Sequence, residues 1–232
     1  MSEGLIYLAN VRLSFPYVAT PRVSEDSGKA KYGADFLMLP NDPNFAKFME
    51  QVNKLALAKW AENTNTILGM VWNDRKTRCM GQGQEKINKT TLKVLDGYEG
   101  MVYISAYSER QPQIIGADGK QIDANNALAC QAEARKMYGG CRVNAVIKPW
   151  LQENKHGRGV RCDFVGIQFA GDDAAFGGGA PDTSGMFGAV QPTQAPAAAA
   201  GAPMPGAPFP GAAAPAAPAW AAPQVTATPP WM

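Results

Sequence analysis

The sequence changes composition abruptly near residue 173, and this change limits how much of the chain can form a core. Residues 174–232 contain 20 Ala, 12 Pro and 8 Gly, and their one charged side chain is Asp182. Such a segment interrupts helices and offers little apolar surface to offset the entropy of ordering. We therefore expect one folded domain, residues 1–173, followed by a disordered tail, residues 174–232.

The cysteine content and the hydropathy of the chain exclude several classes of protein. Its four cysteines include no Cys-x-x-Cys pair, and His156 is the one imidazole, so a compact zinc site is not expected. We expect reduced, buried thiols. No apolar run approaches the roughly 20 residues that cross a bilayer, and the N-terminus lacks the layout of a secretory signal. The sequence predicts a cytoplasmic protein that makes no membrane contact.

Alternating apolar and polar residues predict a mainly β domain. Val11, Leu13 and Phe15 fall on one face of a first strand. In a later strand an aliphatic face alternates with Tyr103 and Tyr107, so the two tyrosines are expected to face solvent. About seven strands with one or two helices predict a closed or partly closed barrel. Strands are predicted at 9–15, 32–39, 90–95, 101–108, 113–115, 120–122, 141–150 and 160–169. Helices are predicted at 43–62, with Asp42 as its cap and Pro43 in its first turn, and at 123–137, with Asp123 as its cap. A hairpin turn is predicted at 116–119 and a polar, glycine-containing loop at 152–159.

Two segments of the predicted domain concentrate positive charge. Residues 75–93 hold six basic side chains against Glu85, and residues 135–161 hold seven against Glu153. Aromatic residues lie beside or within both segments. Unpaired bases stack on such rings while Lys and Arg neutralise phosphates. Basic runs more often mark solvated faces, however, and a single Trp more often packs in a core, so the pattern alone leaves both interpretations open.

Little in the sequence points to catalysis. Residues 81–86 contain two glycines and a lysine but match neither of the common glycine-rich phosphate-binding motifs. His156 lies in a polar stretch typical of a solvated loop, without other elements of a triad. The adjacent carboxylates Asp172 and Asp173 are more typical of a soluble edge than of a Mg²⁺ site. We expect no active site, no bound metal and no cofactor.

Several short motifs follow one another in a specific order. They are DGYEG at 96–100, YGGCRVNA at 138–145, GRGV at 157–160, GIQF at 166–169 and GDDAAFGGG at 171–179. Together they resemble the motifs of phage single-stranded DNA-binding proteins with an OB-fold, over most of residues 4–179. The resemblance implies a five-stranded Greek-key barrel with an extra hairpin and one or two helices. It also implies sequence-independent binding of single-stranded DNA in phage replication and recombination, often by a dimer.

The resemblance and the charge pattern together predict which side chains contact DNA. Aromatic rings are expected to stack on bases and cations to neutralise phosphates, so affinity should fall steeply with salt. The predicted stacking residues are Trp72, Tyr103, Tyr107 and Trp150. The predicted phosphate contacts are Arg75, Lys76, Arg78, Lys86, Arg142, Lys148, Arg158 and Arg161.

The predicted tail differs from the acidic C-termini common among related phage proteins, since Asp182 is its one charge. Aromatic residues recur in it at spacings of 11 or 22 residues: Phe176, Phe187, Phe209, Trp220 and Trp231. We predict that these rings, Trp220 and Trp231 above all, dock on a replication or recombination protein or on a neighbouring copy of the chain. Chance placement in a low-complexity sequence is the alternative.

Two other functions remain open at this point. A structural or assembly protein, with a self-associating β-domain and a display tail, would be indifferent to DNA. A metal-dependent nuclease or recombination enzyme would use acidic residues such as Asp163, Asp172 and Asp173, and would cleave DNA in the presence of Mg²⁺.

Overall fold

The computed structural model describes residues 4–23, 28–155 and 157–177. The predictions made for residues 178–232 of the tail, including those for Asp182, Trp220 and Trp231, and for His156 lie outside these residues. The elements in chain order are β1 (Ile6–Val23), β2 (Ala30–Met38), α1 (Pro43–Trp60), α2 (Thr64–Asn73), β3 (Met80–Gln82), β4 (Val102–Ser108), β5 (Gln113–Ile115), α3 (Ala127–Ala134), β6 (Arg142–Asn154) and β7 (Gly157–Gly171). Short 3₁₀ helices occur at Ala61–Asn63 and Gly83–Glu85.

The strands form one sheet in the order β3-β4-β2-β1-β6-β7-β5. β1 is long enough to pair with β6 along its first half and with β2 along its second. Its register shifts between Leu8 and Val11 and between Ser14 and Tyr17, and such bulges bend a strand. The sheet closes where the amide of Val160 on β7 donates to the carbonyl of Thr77, 2.8 Å away, just before β3.

The five longest strands, β1, β2, β4, β6 and β7, form the barrel. The short strands β3 and β5 are additions at the two ends of the sheet order, and β5 runs parallel to β7. The predicted fold, a mainly β OB-fold with extra elements and helices, is confirmed.

Phe15 departs from the predicted first strand. Val11 and Leu13 point into the core and are at most 1% exposed, as the alternation predicts. Phe15 was expected on the same face, yet it is 46% exposed. It lies at the bulge between Ser14 and Tyr17 with a φ of 49°, and this turns its side chain outward.

The first helix agrees with the prediction, whereas the Ala-rich helix differs from it and one helix was not predicted. Asp42 accepts a hydrogen bond from the amide of Asn44 at 2.8 Å and Pro43 occupies the first turn, as predicted for α1. The predicted end near residue 62 is close, but a second helix, α2, follows and was not predicted. The Ala-rich helix begins after Asn126, which caps α3, rather than after Asp123. In the described ranges no helix is long and apolar enough to span a membrane.

Three other local predictions have mixed outcomes. The predicted strand at 90–95 is wrong, because residues 83–101 form a loop in which Ile87 and Val94 make an isolated bridge. The predicted loop at 152–159 is mostly strand, because β6 and β7 pair out to Asn154 and Gly157. The turn at 116–119 is confirmed by the bond from the amide of Gly116 to the carbonyl of Lys120. All four cysteines are free and buried, as expected.

Candidate nucleic-acid interface

The outer surface of the β6–β7 hairpin carries an exposed indole between two cations. We call Lys148, Trp150, Gln152, Arg161 and Asp163 the hairpin face. Strand alternation places them outward, because the intervening residues of β6 and β7 face the core. Trp150 lies directly opposite Arg161, and Lys148 directly opposite Asp163.

Hydrogen bonds fix two side chains of the hairpin face. Trp150 Nε1 donates to Asp163 Oδ1 at 2.8 Å, and the residue remains 40% exposed. Arg161 Nε donates to Gln152 Oε1 at 2.8 Å, and its terminal guanidinium nitrogens make no ion pair within residues 4–23, 28–155 and 157–177. Lys148 is exposed and makes no ion pair within the described part of the chain. The face therefore offers one ring and two cations against a single carboxylate.

Tyr7 extends the hairpin face and was not predicted. It pairs with Val146 across β1 and β6 and is 54% exposed. The signal was present in the sequence, because Tyr7 alternates with Ile6 and Leu8, which are both buried. The first strand was predicted to begin at residue 9, so the alternation at residues 6–8 lies outside the predicted strand.

The carboxylate of Glu85 forms ion pairs with two arginines of the first basic segment, Arg75 and Arg78. Arg78 Nη2 donates to both carboxylate oxygens of Glu85 at 2.9 and 2.8 Å, and the Arg78 side chain is only 14% exposed. Arg75 Nε is 3.5 Å from the same carboxylate, but the Arg75 side chain is 57% exposed. Lys76 is exposed. Arg78 thus supports the loop rather than presenting a free cation, whereas Arg75 and Lys76 remain accessible.

A buried carboxylate fixes Lys86. Asp35 on β2 is 1% exposed and accepts hydrogen bonds from Lys86 Nζ at 2.7 Å, Tyr98 Oη at 2.7 Å and Ser105 Oγ at 2.5 Å. Burial raises the pKa of Tyr98 strongly, with the charge of Asp35 adding to the effect, so the phenol stays protonated as a donor. The ammonium of Lys86 is thus already paired inside the domain, and its predicted contact with phosphate stays a prediction.

The expectation that Tyr103 faces solvent is wrong. Its ring does lie on the outer side of β4, but the loop at 83–101 covers this part of the sheet and leaves the residue 7% exposed. It packs with Leu37 and Tyr98 in a small second apolar cluster, and Lys86 Nζ lies 4.3 Å from its ring centroid. Tyr107, four residues further along β4, lies beyond this cover and is 49% exposed.

The remaining predicted residues have partners inside the domain. Trp72 on α2 is half-buried and packs against the main core, so it does not offer a free ring. Arg142 Nε donates to Asp173 Oδ2 at 2.7 Å. Arg158 Nε donates to Glu153 Oε1 at 2.8 Å, and this bond holds the pKa of Glu153 below its ordinary value.

Two of the sequence motifs contact each other through residues 172–177, which we call the strap. The Tyr138 hydroxyl donates to the Asp173 carbonyl at 2.9 Å, and the Phe176 amide donates to the Gly139 carbonyl at 2.8 Å. The guanidinium of Arg12 lies 4.4 Å from the Phe176 ring centroid. The Phe176 ring also packs on the second apolar cluster. The folded domain therefore continues a few residues beyond position 173.

The predicted interface does not come together as one channel in which every residue participates. Tyr107 and Trp150 both face outward, but from different parts of the barrel wall. Between them lies the closure at residues 77–82, immediately after the exposed Arg75 and Lys76. Tyr103, Trp72, Arg78 and Lys86 are buried or paired.

The carboxylates of the nuclease alternative are engaged elsewhere. Asp163 binds the Trp150 indole, and Asp173 binds Arg142. No group of three or more His, Cys, Asp or Glu side chains with the geometry of a metal site occurs in residues 4–23, 28–155 and 157–177.

Comparison with known proteins identifies a family that matches this chain. The family model described as "Enterobacter phage Enc34, ssDNA-binding protein" matches residues 5–195. A relative named "Putative protein p50", from Acyrthosiphon pisum secondary endosymbiont phage 1, is 29% identical over 176 residues, which are 75% of this chain and 87% of that protein.

Solved structures give the same answer. The single-stranded DNA-binding protein of bacteriophage Enc34 in complex with ssDNA is 26% identical and has a TM-score of 0.56. The match covers 76% of this chain and 91% of that one. A second structure of the Enc34 protein matches with a TM-score of 0.53 at 26% identity, over 79% of this chain and 89% of the other. The barrel, the motifs and these matches agree, and the chain belongs to the family of the single-stranded DNA-binding protein of phage Enc34.

Proposed function

We propose that this chain binds single-stranded DNA without sequence preference and coats it during phage replication and recombination. The observation that carries the proposal is the hairpin face, where Trp150 is exposed between Arg161 and Lys148. Membership of the Enc34 family and the complex of the Enc34 protein with ssDNA support it.

The chemistry of the hairpin face favours unpaired strands of any sequence. A ring face stacks on every base, whereas duplex DNA keeps its bases stacked on each other. The two cations neutralise phosphates, which carry no sequence information. Exposed Tyr7, which extends the hairpin face, and exposed Tyr107, on another part of the barrel wall, offer further stacking surfaces.

Trp150 provides the most direct test. Changing Trp150 to Ala should weaken binding of a fluorescent oligothymidylate by about 1 to 3 kcal/mol, the usual worth of one stacked base, or roughly 5- to 150-fold. The loss should be equal for oligonucleotides of mixed sequence. Leu128→Ala, at a residue 81% exposed on α3, is the control and should bind like the wild type. Equal affinity of W150A and L128A would remove the hairpin face from the proposal.

Fluorescence anisotropy of the labelled oligonucleotide, which measures this binding, also separates the alternative functions. A single-stranded DNA-binding protein should prefer single strands to a duplex and should lose affinity steeply as salt increases. A structural or assembly protein would show neither effect. A nuclease would shorten the labelled DNA on incubation with Mg²⁺, whereas we propose a protein without enzymatic activity.

We further propose the molecular context that follows from this function. The folded domain, predicted as residues 1–173 and continued by the strap, would carry DNA binding. The rest of the tail would serve contacts with replication or recombination proteins or with other copies of the chain, as a homodimer or a larger assembly. The chain would act in the cytoplasm of the host cell, where phage DNA is copied.

A further inference from the structure

A glycine on β2 allows the Tyr107 ring to lie against the sheet. Gly33 pairs with Tyr107 across β2 and β4. A Cβ at Gly33 would lie 2.7 Å from Tyr107 Cε1 and closer still to Cδ1, which is well inside van der Waals contact. The ring therefore occupies the space that any other side chain at position 33 would fill. One ring face is supported by the backbone of β2, and the residue is still 49% exposed.

Two cations lie beside this ring on the same outer surface. Tyr17 pairs with Gly33 from the other side, so Tyr17, Gly33 and Tyr107 form one row across three strands. Two residues before Gly33 on β2, Lys31 pairs directly with Arg22 of β1. Lys31 shares the face of Gly33 because it is two residues away, and the Arg22 guanidinium lies 5.9 Å from the Tyr17 ring centroid.

The pairing of Arg22 with Lys31 is unfavourable unless an anion lies between them. Like charges at directly opposite positions of an antiparallel pair repel each other. Neither side chain makes an ion pair with a carboxylate among residues 4–23, 28–155 and 157–177. Among the described carboxylates, Asp35 binds Lys86 and Glu109 binds Lys29.

We propose that this surface is a second nucleotide subsite, separate from the hairpin face. One base stacks on the outer face of Tyr107, and its phosphate binds between Arg22 and Lys31. Gly33 is a positioning residue, because it sets the ring flat on the sheet. The proposal rests on the proposed function, since the ligand is single-stranded DNA, and it adds residues that neither the basic segments nor the motifs indicated.

Three independent variants of the full-length chain test the subsite with a labelled oligothymidylate. Y107A should weaken binding about 5- to 150-fold, whereas Y107F, which keeps the ring, should bind like the wild type. R22Q/K31Q should lower the slope of log affinity against log salt by about 0.7, the contribution of one phosphate contact on a single strand. G33A should behave like Y107A, because the new methyl group displaces the ring.

A cross-linking experiment reports on the ring directly. An oligonucleotide in which iodouracil replaces thymine should cross-link on irradiation to the peptide that contains Tyr107 in the wild type. The yield at this peptide should fall in G33A. Circular dichroism confirms that each variant is folded, and if G33A does not fold, Y107A with Y107F and R22Q/K31Q still decide the outcome. K120Q, at an exposed lysine of the turn before α3, controls for loss of charge.

Failure of the subsite differs from failure of the proposed function. If the wild type binds single strands while folded Y107A and R22Q/K31Q keep its affinity and salt slope, the subsite is refuted and the function stands. If the wild type itself shows no preference for single strands, the proposed function fails first. Loss of binding in Y107A and Y107F alike would also contradict stacking, since the ring alone should suffice.

Discussion

Burial determines what each charged or aromatic residue of this domain can do. The carboxylate of Asp35 is almost fully enclosed, so it must be paired, and Lys86 is the cation that reaches it. The same loop that delivers Lys86 covers Tyr103. A basic side chain and an aromatic ring that appear suited to DNA in the sequence thus hold a loop on the barrel instead.

Changing Lys86 to Met tests this assignment. The variant leaves a buried carboxylate without its counter-ion, and breaking such a pair costs about 3 kcal/mol of unfolding free energy. Urea denaturation should show this loss, while K89M, at an exposed lysine of the same loop, should unfold like the wild type. The salt slope of DNA binding by folded K86M should be unchanged. A stable K86M with a reduced slope would instead return Lys86 to the DNA interface.

Single residues were predictable where strand alternation alone decides exposure. Trp150 and Tyr107 face outward as the sequence indicates, because their neighbours in the strand fill the core. Tyr103 obeys the same alternation, yet the distant loop at 83–101 covers it. The sequence shows no sign of that cover, because it depends on tertiary contacts between residues far apart in the chain.

At the scale of elements, the β6–β7 hairpin carries the candidate nucleic-acid interface, and the closure of the barrel lies beside it. Residues 152–159 look like a loop in sequence because they are polar and contain glycine, but pairing between the two strands extends through them. The carbonyl of Thr77 accepts a hydrogen bond from Val160, so the closure lies directly under the hairpin. Gly159 is needed there for close approach of two backbones rather than for a turn.

Two glycine substitutions should have opposite effects on stability. A Cβ at Gly159 would lie 2.6 Å from the Thr77 carbonyl oxygen, so G159A should destabilise the domain by about 1 to 3 kcal/mol. Gly69 lies within α2 with no atom within 4 Å of a Cβ there, so G69A should stabilise it by about 0.5 to 1 kcal/mol. Thermal unfolding followed by circular dichroism measures both, and a neutral G159A would contradict close packing at the closure.

The strap should respond to acid through Asp173. The amide of Ala174 and the guanidinium of Arg142 lower the pKa of this carboxyl below its ordinary value. A lowered pKa in the folded state stabilises the fold above the unfolded pKa of about 4, and this contribution is lost as pH falls through the folded value. D173N should therefore be less stable than the wild type at pH 7, and the difference should shrink below about pH 4. A difference in stability that does not depend on pH would contradict this role.

At the scale of the whole molecule, the barrel was predictable and its exact limits were not. Strand number and the alternation of core residues indicate a closed or partly closed barrel, because both reflect local patterning, and the resemblance carried by the motifs implies the OB-fold. The end of the domain depends on contacts between residues far apart in the chain. The change in composition at 173 marks where charge ends, whereas Phe176 still packs beside Arg12.

Two truncated chains locate the end of the folded domain and show whether residues 178–232 contribute to its stability or to DNA affinity. A chain ending after Gly177 keeps the strap, so it should melt like the full-length protein and bind a short oligonucleotide with the same affinity. A chain ending after Gly171 loses the partly buried Phe176 ring and the ion pairs of Asp173, so it should lose about 2 kcal/mol. If both truncations melt alike, the strap adds no stability.

The tail prediction concerns contacts between proteins rather than DNA contacts. If Trp220 and Trp231 dock on a neighbouring copy, binding to long single strands should be cooperative for the full-length chain. It should become less cooperative in the chain ending after Gly177 and in W220A/W231A, because the ring contacts between neighbours are lost. Affinity for an oligonucleotide long enough to bind only one protein molecule should be the same for the full-length chain, the chain ending after Gly177 and W220A/W231A. Unaltered cooperativity in W220A/W231A, measured by titration of long and short oligothymidylates, would leave the tail aromatics without a role in self-association.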